Sequence, residues 1–199
     1  MNSLTLVDLF VEDQAHEEFL KAMLGRIADE EQKKIRIRVR SARGGHGRAL
    51  EELSLYQKSV QKAPYEMTMP DIVFVAIDAN CKRWNTARKE IEGKVEDTFK
   101  DRLVVACPDP HIERWYLADL DSFAQVVGVR PRLRKKKCLR DYYKSVLSKA
   151  VVDAGHPPTL GGIEFAEELA KAMDFYRAGK TDRSLKHFLE DTAARFKSL

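Results

Sequence analysis

One segment limits the possible folds of this chain more than any other. Residues 72–77 read IVFVAI, a run in which every side chain is apolar and most are β-branched. Such a short, unbroken apolar run predicts a strand that is buried on both faces. Sheets covered on both faces are mostly parallel, and helices provide their crossover connections. The rest of the chain should therefore alternate strands with helices.

The remaining hydrophobic pattern predicts this alternation. Three further strands are predicted at residues 4–11, 35–40 and 102–107. Helical spacing of apolar residues predicts helices over residues 14–31, 50–60, 85–99, 111–127, 136–153, 163–176 and 182–197. The second strand, IRIRVR, places Ile35, Ile37 and Val39 on one face and arginines on the other, which is typical of a sheet edge. We therefore predict an α/β fold in which residues 1–127 form a mostly parallel sheet flanked by helices and residues 128–199 form a helical extension packed on it.

Composition excludes several classes of protein. The 199 residues are 44% hydrophobic and 33% charged, which is typical of a globular chain. No apolar run approaches the roughly 20 residues that cross a bilayer, and the N-terminus lacks the pattern of a signal peptide. Three scattered cysteines without a CxxC pair disfavour a disulfide framework or a zinc site, so we expect a cytoplasmic protein without membrane contact. No GxxxxGK[ST] motif is present, so the chain is not itself a P-loop ATPase.

The distribution of charge is more informative than the net charge of +4. Residues 32–50 and 122–140 contain no acid, and each segment carries seven Lys and Arg residues. Local basic patches in a nearly neutral chain favour a side that faces a polyanion, although solvated loops and a charged sheet edge would give the same pattern. The predicted nucleic-acid-binding residues are Arg43, Arg48, Arg134, Lys135, Lys136 and Lys137.

Acidic side chains follow three of the predicted strands. Glu12 follows the first strand, Asp78 the third, and Glu113 lies shortly after the fourth. The carboxyl ends of parallel strands meet at one edge of a sheet, and neighbouring strands lie about 5 Å apart. Carboxylates at that edge could share Mg²⁺, which prefers oxygen ligands. Capping of the following helix is the alternative for any one of these acids taken alone.

Several segments resemble a known family. VDLFVEDQAHEEFL (residues 7–20) and DIVFVAIDAN (71–80) resemble the Toprim fold, in its opening strand with a lone glutamate and in the strand that carries its Asp-x-Asp. PDPHIERWYLAD (108–119) is similar to a Glu-x-Trp-x-Leu-x-Asp segment of small Toprim-like proteins in the DUF4276 group, which are related to the overcoming-lysogenization-defect (OLD) nucleases. GGHGRAL (44–50) and YYK (142–144) resemble that group's glycine-rich turn and its late Tyr-Tyr-Lys. The resemblance covers most of the chain and implies a Toprim-like sheet.

The resemblance also implies a metal-dependent phosphoryl-transfer site that uses Mg²⁺ or Mn²⁺. Glu12 matches the glutamate that acts as base or metal ligand, and Asp78 matches the first Asp of the Asp-x-Asp. Glu113 matches a later acid of the metal shell, and Lys144 matches a lysine that stabilises phosphate charge. The family commonly works beside a separate ABC/SMC-like ATPase, often in anti-phage defence, so nucleic acid and such an ATPase are the implied partners. Association into a homo-oligomer stays open.

Two positions depart from the family pattern. Asn80 stands where the second Asp of the Asp-x-Asp is expected, and an amide oxygen can bind Mg²⁺ but brings no charge. His16 stands four residues after Glu12, where OLD-type relatives often have an acid. This histidine would favour Mn²⁺, act as a general base, or mark a site that has lost activity.

These observations lead to three functional hypotheses. The first is a Toprim-type nuclease subunit with metal ligands Glu12, Asp78, Asn80 and Glu113. The second is a non-catalytic Toprim-like module that binds nucleic acid or regulates a complex. The third is an enzyme that acts on a small phosphoester at the same site, without using the basic patches.

Overall fold

The computed structural model of the chain describes residues 4–41, 46–62, 68–134, 138–139, 141–157 and 159–199. Four strands are present in these ranges: β1 (Leu4–Val11), β2 (Lys34–Ser41), β3 (Ile72–Ala76) and β4 (Leu103–Ala106). The helices between and after them are α1 (Gln14–Glu30), α2 (His46–Lys62), α3 (Trp84–Glu92), α4 (Asp97–Lys100), α5 (Ile112–Tyr116), α6 (Leu120–Val127), α7 (Tyr142–Asp153), α8 (Ala166–Ala172), α9 (Phe175–Thr181) and α10 (Arg183–Lys197). A short 3₁₀ helix, Ile163–Phe165, precedes α8.

The four strands form one parallel sheet in the order β2-β1-β3-β4. All five residues of β3 are buried, as its unbroken apolar sequence predicts, and the strand lies between β1 and β4. β2 lies at the edge of the sheet, as its alternating sequence predicts. The predicted α/β fold with a parallel sheet and C-terminal helices is confirmed.

Two hydrophobic cores cover the two faces of the sheet. On one face, alternate residues of β3 such as Phe74 pack with α1, α5 and the C-terminal helices, including Leu185 and Phe188 of α10. On the other face, Val73 and Val75 pack with α2, α3 and Cys107. No helix in the described part of the chain is both long and apolar enough to cross a membrane.

The order of the strands places a switch point at the centre of the sheet. The chain passes from β1 to β2 on one side, and then crosses to β3 on the other side of β1. Helices that follow β1 and β3 therefore leave in opposite directions, which opens a crevice at the carboxyl ends of these two strands. Ligand sites of open parallel sheets form in such crevices.

The helix boundaries predicted from periodicity were partly wrong. A single helix over 85–99 is two helices, because α3 ends at Glu92 and Gly93 follows as its C-terminal cap. A single helix over 111–127 is also two, because the carboxylate of Asp119 accepts a hydrogen bond from the Asp121 N–H and starts α6. Of the helix predicted over 136–153, residues 136, 137 and 140 lie outside the described residues, and α7 is described from Tyr142. The helix predicted over 163–176 is a 3₁₀ turn, α8 and the start of α9.

Two arginines of the edge strand β2 stabilise the fold by pairing with a buried carboxylate. Asp8, in the middle of β1, is fully buried and accepts hydrogen bonds from Nε of Arg38 at 2.5 Å and Nε of Arg40 at 3.4 Å. The hydroxyl of Tyr56 on α2 also donates to Asp8, and the Arg40 guanidinium lies 4.4 Å from the centroid of the Tyr56 ring. A buried carboxylate is stable only when it is paired and hydrogen-bonded, so these arginines balance the charge of Asp8.

Candidate metal centre

Two carboxylates meet where β1 and β3 end. Val11 and Ala76 are paired across these strands, so Glu12 and Asp78 follow at the same edge of the sheet. The backbone N–H of Asp78 donates a hydrogen bond to Oε2 of Glu12 at 3.1 Å. This contact fixes the Glu12 side chain across the end of the neighbouring strand, inside the crevice at the switch point.

His16, in the first turn of α1, contacts the carboxylates of Asp13 and Asp78 through its two ring nitrogens. Asp13 caps α1 and accepts a hydrogen bond from the His16 N–H at 3.0 Å. The same Asp13 oxygen accepts a hydrogen bond from Nδ1 of His16 at 2.8 Å, and Oδ1 of Asp78 accepts one from Nε2 at 3.0 Å. The His16 ring is fully buried, so both carboxylates act on it without intervening solvent.

These contacts control the charge of His16. Burial alone would lower the pKa of His16, but the negative charge of Asp78 and the hydrogen bonds to Asp13 and Asp78 outweigh it and raise the pKa to about 10. Burial likewise opposes the charge of Asp13, yet the hydrogen bonds and charge of His16 lower the pKa of Asp13 to about 2. Without a bound cation, His16 is therefore an imidazolium at neutral pH and offsets part of the negative charge of the site.

Glu12 and Glu113 have raised proton affinities. Burial raises the pKa of Glu12, and the charge of Asp78 raises it further. Burial also raises the pKa of Glu113 on α5, and the charge of Asp78 acts in the same direction. Because Asp78 influences both glutamates and contacts His16, it is the centre of one electrostatic cluster formed by the ends of β1 and β3 and the first turns of α1 and α5.

The donor atoms of this cluster fit a divalent cation. Ligand atoms of Glu12, His16 and Asp78 lie within 4.8 Å of one another, which places two carboxylate oxygens and one imidazole nitrogen around a common point. Such a set suits Mn²⁺ better than Mg²⁺, because Mg²⁺ prefers oxygen ligands whereas imidazole binds transition metals. Asp13 would orient His16 through Nδ1, as carboxylates commonly do behind a metal-binding histidine.

Residues 11–192 match a family described as a domain of unknown function (DUF4276). The chain belongs to the DUF4276 family. The match confirms the resemblance to DUF4276 that the sequence motifs indicate, and it includes every residue of the cluster. No curated protein matches the chain, and no solved structure matches it.

The remaining predicted site residues of this DUF4276 chain lie in different surroundings. Asn80 is exposed, has a left-handed backbone conformation (φ 54°), and its Nδ2 donates to the carbonyl of Asp78 at 3.3 Å, which stabilises the turn after β3. Lys144 is exposed on α7. Arg48 is exposed and pairs with Glu52 at 3.0 Å, and Arg134 is exposed. The predicted nucleic-acid-binding residues Arg43, Lys135, Lys136 and Lys137 lie outside the described residues.

Two members of the DUF4276 site were not predicted from the sequence. Asp13 both caps α1 and orients His16, and an Asp directly before an amphipathic helix is the signal that could have identified it. Tyr116 is buried, stacks on Phe19 with ring centroids 4.4 Å apart, and donates from its hydroxyl to the Ala15 carbonyl at 2.8 Å. Tyr116 thereby holds the first turn of α1 against α5, which positions His16 relative to Glu113.

Proposed function

We propose that this chain is a divalent-cation-dependent phosphodiester hydrolase that cleaves nucleic acid with Mn²⁺ or Mg²⁺. The observation that supports it is the convergence of Glu12, His16 and Asp78, with ligand atoms within 4.8 Å, at the carboxyl ends of two neighbouring strands. A site that brings together carboxylates, a buried histidine and shifted pKa values in a crevice is typical of catalysis rather than of fold stability alone.

The residues of the site suggest which part of phosphodiester hydrolysis each of them would perform. A cation bound by His16, Asp78 and one carboxylate oxygen of Glu12 would supply the positive charge that polarises a phosphoryl oxygen. Glu12, whose pKa burial raises, would take the proton from the attacking water as the new P–O bond forms. Glu113 is close enough to Asp78 to be influenced by its charge, and its raised pKa suits a carboxyl that gives a proton to the leaving oxygen as the old P–O bond breaks.

The relationship to Toprim and OLD nucleases is part of the same proposal. The motifs around Glu12, Asp78 and Glu113 support a nuclease over a small-molecule phosphoesterase. By that relationship the proposed partners are nucleic acid and a separate ABC/SMC-like ATPase, and the proposed setting is anti-phage defence in the cytoplasm.

The experiment is a digest of DNA and RNA by the purified chain with Mn²⁺, Mg²⁺ or EDTA. We expect cleavage with either metal, faster with Mn²⁺ because of the imidazole ligand, and none with EDTA. Glu12→Gln should abolish cleavage, whereas Glu18→Gln should leave it unchanged, because Glu18 is a half-buried residue of the following helix α1 that pairs with Lys21 at 3.6 Å. Cleavage by Glu12→Gln at the wild-type rate would refute the proposed role of this site.

One observation favours a second candidate, a non-catalytic module of a nucleic-acid-binding complex. The imidazolium of His16 already pairs with Asp13 and Asp78, so a cation has to displace a proton before His16 can bind it. Salt-dependent binding of nucleic acid without cleavage in either metal would support this candidate and exclude the hydrolase.

A further inference from the structure

The surface of α9 and α10 carries an open groove with a volume of about 570 Å³. Its floor is apolar and includes Phe175, Leu189 and Ala193. Tyr176, which also lines the groove, is 72% exposed, and Nζ of Lys180 lies 4.1 Å from the centroid of its ring. An exposed aromatic ring beside a cation is an arrangement that binds a flat, electron-rich ligand group.

The charge of this groove is positive. Lys180, Arg183 and Lys186 line it, and the one carboxylate in the lining, Glu190, lies 3.7 Å from Nζ of Lys186. Within the described parts of the chain, no carboxylate lies at ion-pair distance from Lys180 or Arg183. The groove therefore has cationic side chains in excess, and their natural ligand is a polyanion.

Arg183 also lines a second cavity, which has a volume of about 360 Å³. Trp84, Arg114 and Tyr143 also line the second cavity. Arg114 is only 9% exposed; its Nη2 donates to the Thr181 carbonyl at 3.2 Å, and its Nε lies 3.7 Å from Oδ2 of Asp182. Its Nη1 is buried and has no hydrogen-bond partner among the described residues. A buried guanidinium with an unused donor is costly unless an acceptor reaches it, so Arg114 indicates a ligand with oxygen acceptors.

The second cavity and the candidate metal centre are linked by two structural elements, the turn that follows β3 and helix α5. Pro110 lines the cavity, and its carbonyl accepts a hydrogen bond from the Asn80 N–H at 2.9 Å, two residues after Asp78. On α5, Arg114 faces the cavity, while the preceding residue, Glu113, belongs to the electrostatic cluster around Asp78. The two cavities, which share Arg183, are together called the path, and the second is lined by residues that contact or directly neighbour the segments carrying Asp78 and Glu113.

We infer that this path binds a single strand of nucleic acid and directs it to the metal centre, an inference that rests on the proposed function. Lys180, Arg183 and Lys186 lie along the path to contact successive phosphates, and Tyr176 offers a ring face for stacking of a base. Basic grooves interleaved with exposed aromatic rings are the usual way in which proteins bind single strands without reading their sequence. A purely acidic protein partner would use the cations and leave the exposed aromatic ring without a role.

The test measures binding of a fluorescein-labelled oligothymidylate to the full chain in EDTA, by anisotropy over a range of salt concentrations. Arg183→Glu combined with Lys186→Glu should weaken binding at low salt by about 10-fold or more and reduce the salt slope by about 1.4, since each phosphate contact on a single strand contributes about 0.7. Tyr176→Ala should weaken binding of the oligonucleotide while leaving binding of polyglutamate unchanged. Lys58→Glu combined with Lys94→Glu, an equal charge change at exposed positions on the opposite face of the sheet, should leave affinity and slope as in the wild type.

Three results would overturn the inference: no binding by the wild type, wild-type affinity and slope in the Arg183 and Lys186 double variant, or equally tight binding of polyglutamate. The last would show a docking surface for an acidic protein. Wild-type hydrolysis of bis(4-nitrophenyl) phosphate with Mn²⁺ separates this inference from the proposed function, because so small a diester does not need the path. Strand binding without diester hydrolysis would reject the hydrolase and retain the path; diester hydrolysis without strand binding would do the opposite.

Discussion

Replacing Asp78 with asparagine should reduce metal-dependent cleavage by more than about 100-fold. Loss of a residue that only supports a metal ligand costs about 10- to 100-fold, and Asp78 is itself a ligand in the proposed site. The substitution keeps the shape of the side chain and the backbone N–H that holds Glu12, but removes the charge that acts on His16, Glu12 and Glu113. Initial rates with Mn²⁺ at saturating substrate measure the effect, and a thermal melt verifies that the variant is folded.

Two further variants, one with a smaller expected loss of activity and one with none, test whether the effect is specific to Asp78. Asp13→Asn keeps a good helix cap but loses the carboxylate behind Nδ1 of His16, so we expect a smaller loss of about 10- to 100-fold. Asp153→Asn, at an exposed position on α7 where the carboxylate contacts only Lys149 among the described residues, should retain the wild-type rate. Asp78→Asn with more than a third of the wild-type rate would exclude a catalytic role for the cluster.

Replacing Asp119 with asparagine should lower the free energy of unfolding by about 2–3 kcal/mol at neutral pH. The Asp119 carboxylate is buried and accepts hydrogen bonds from Nη2 of Arg177 at 2.9 Å, Oγ of Ser122 at 2.7 Å and the N–H of Asp174 at 2.9 Å. It thereby joins the start of α6 to α9. The asparagine amide would place a donor against these donors, and urea unfolding measures the loss.

The effect of this substitution should depend on pH in a defined direction. Burial opposes the charge of Asp119, but the hydrogen bonds from Arg177, Ser122 and Asp174 outweigh it and hold the pKa well below its usual range. A carboxylate with a depressed pKa stabilises the fold above its unfolded pKa of about 3.9, and this stabilisation is lost as the pH falls through the folded pKa. The difference between wild type and Asp119→Asn should therefore shrink below about pH 4.

Asp97→Asn is the control for Asp119. Asp97 is exposed and pairs with Lys100 at 2.6 Å on α4, so its replacement should change stability little at any pH. A difference between wild type and Asp119→Asn that persists unchanged into acid would mean that the Asp119 network does not stabilise the fold through its charge.

Local sequence was sufficient to predict the sheet but not its order. The unbroken apolar run at 72–77 predicted a strand buried on both faces, and the alternating IRIRVR predicted an edge strand, because the order of apolar and charged residues shows which faces of a strand are buried. Which strand lies beside which depends on long-range packing of helices on the sheet. The sequence could therefore place Glu12 and Asp78 at strand ends, whereas their adjacency at the switch point needed the structure.

Charge along the chain was a poor guide to charge on the surface. Arg38 and Arg40 belong to an acid-free segment, yet they pair with the buried Asp8. Lys180, Arg183 and Lys186 lie among acids in the sequence, but helical spacing brings Arg183 and Lys186 to one side of α10 beside Lys180 of α9. The break between α5 and α6 was not predicted, because the apolar pattern continues across it and only the role of Asp119 as the N-cap of α6 marks it.

Pulsed EPR of Mn²⁺ bound to the full chain tests the central claim most directly, since it detects the nitrogen of a coordinated imidazole. A shared site formed by Glu12, His16 and Asp78 predicts one bound Mn²⁺ with a nitrogen signal in the wild type. The signal should disappear in His16→Gln, and Glu12→Gln should bind Mn²⁺ more weakly while keeping the signal. A wild type that binds no Mn²⁺, or a nitrogen signal that persists in His16→Gln, would contradict the account.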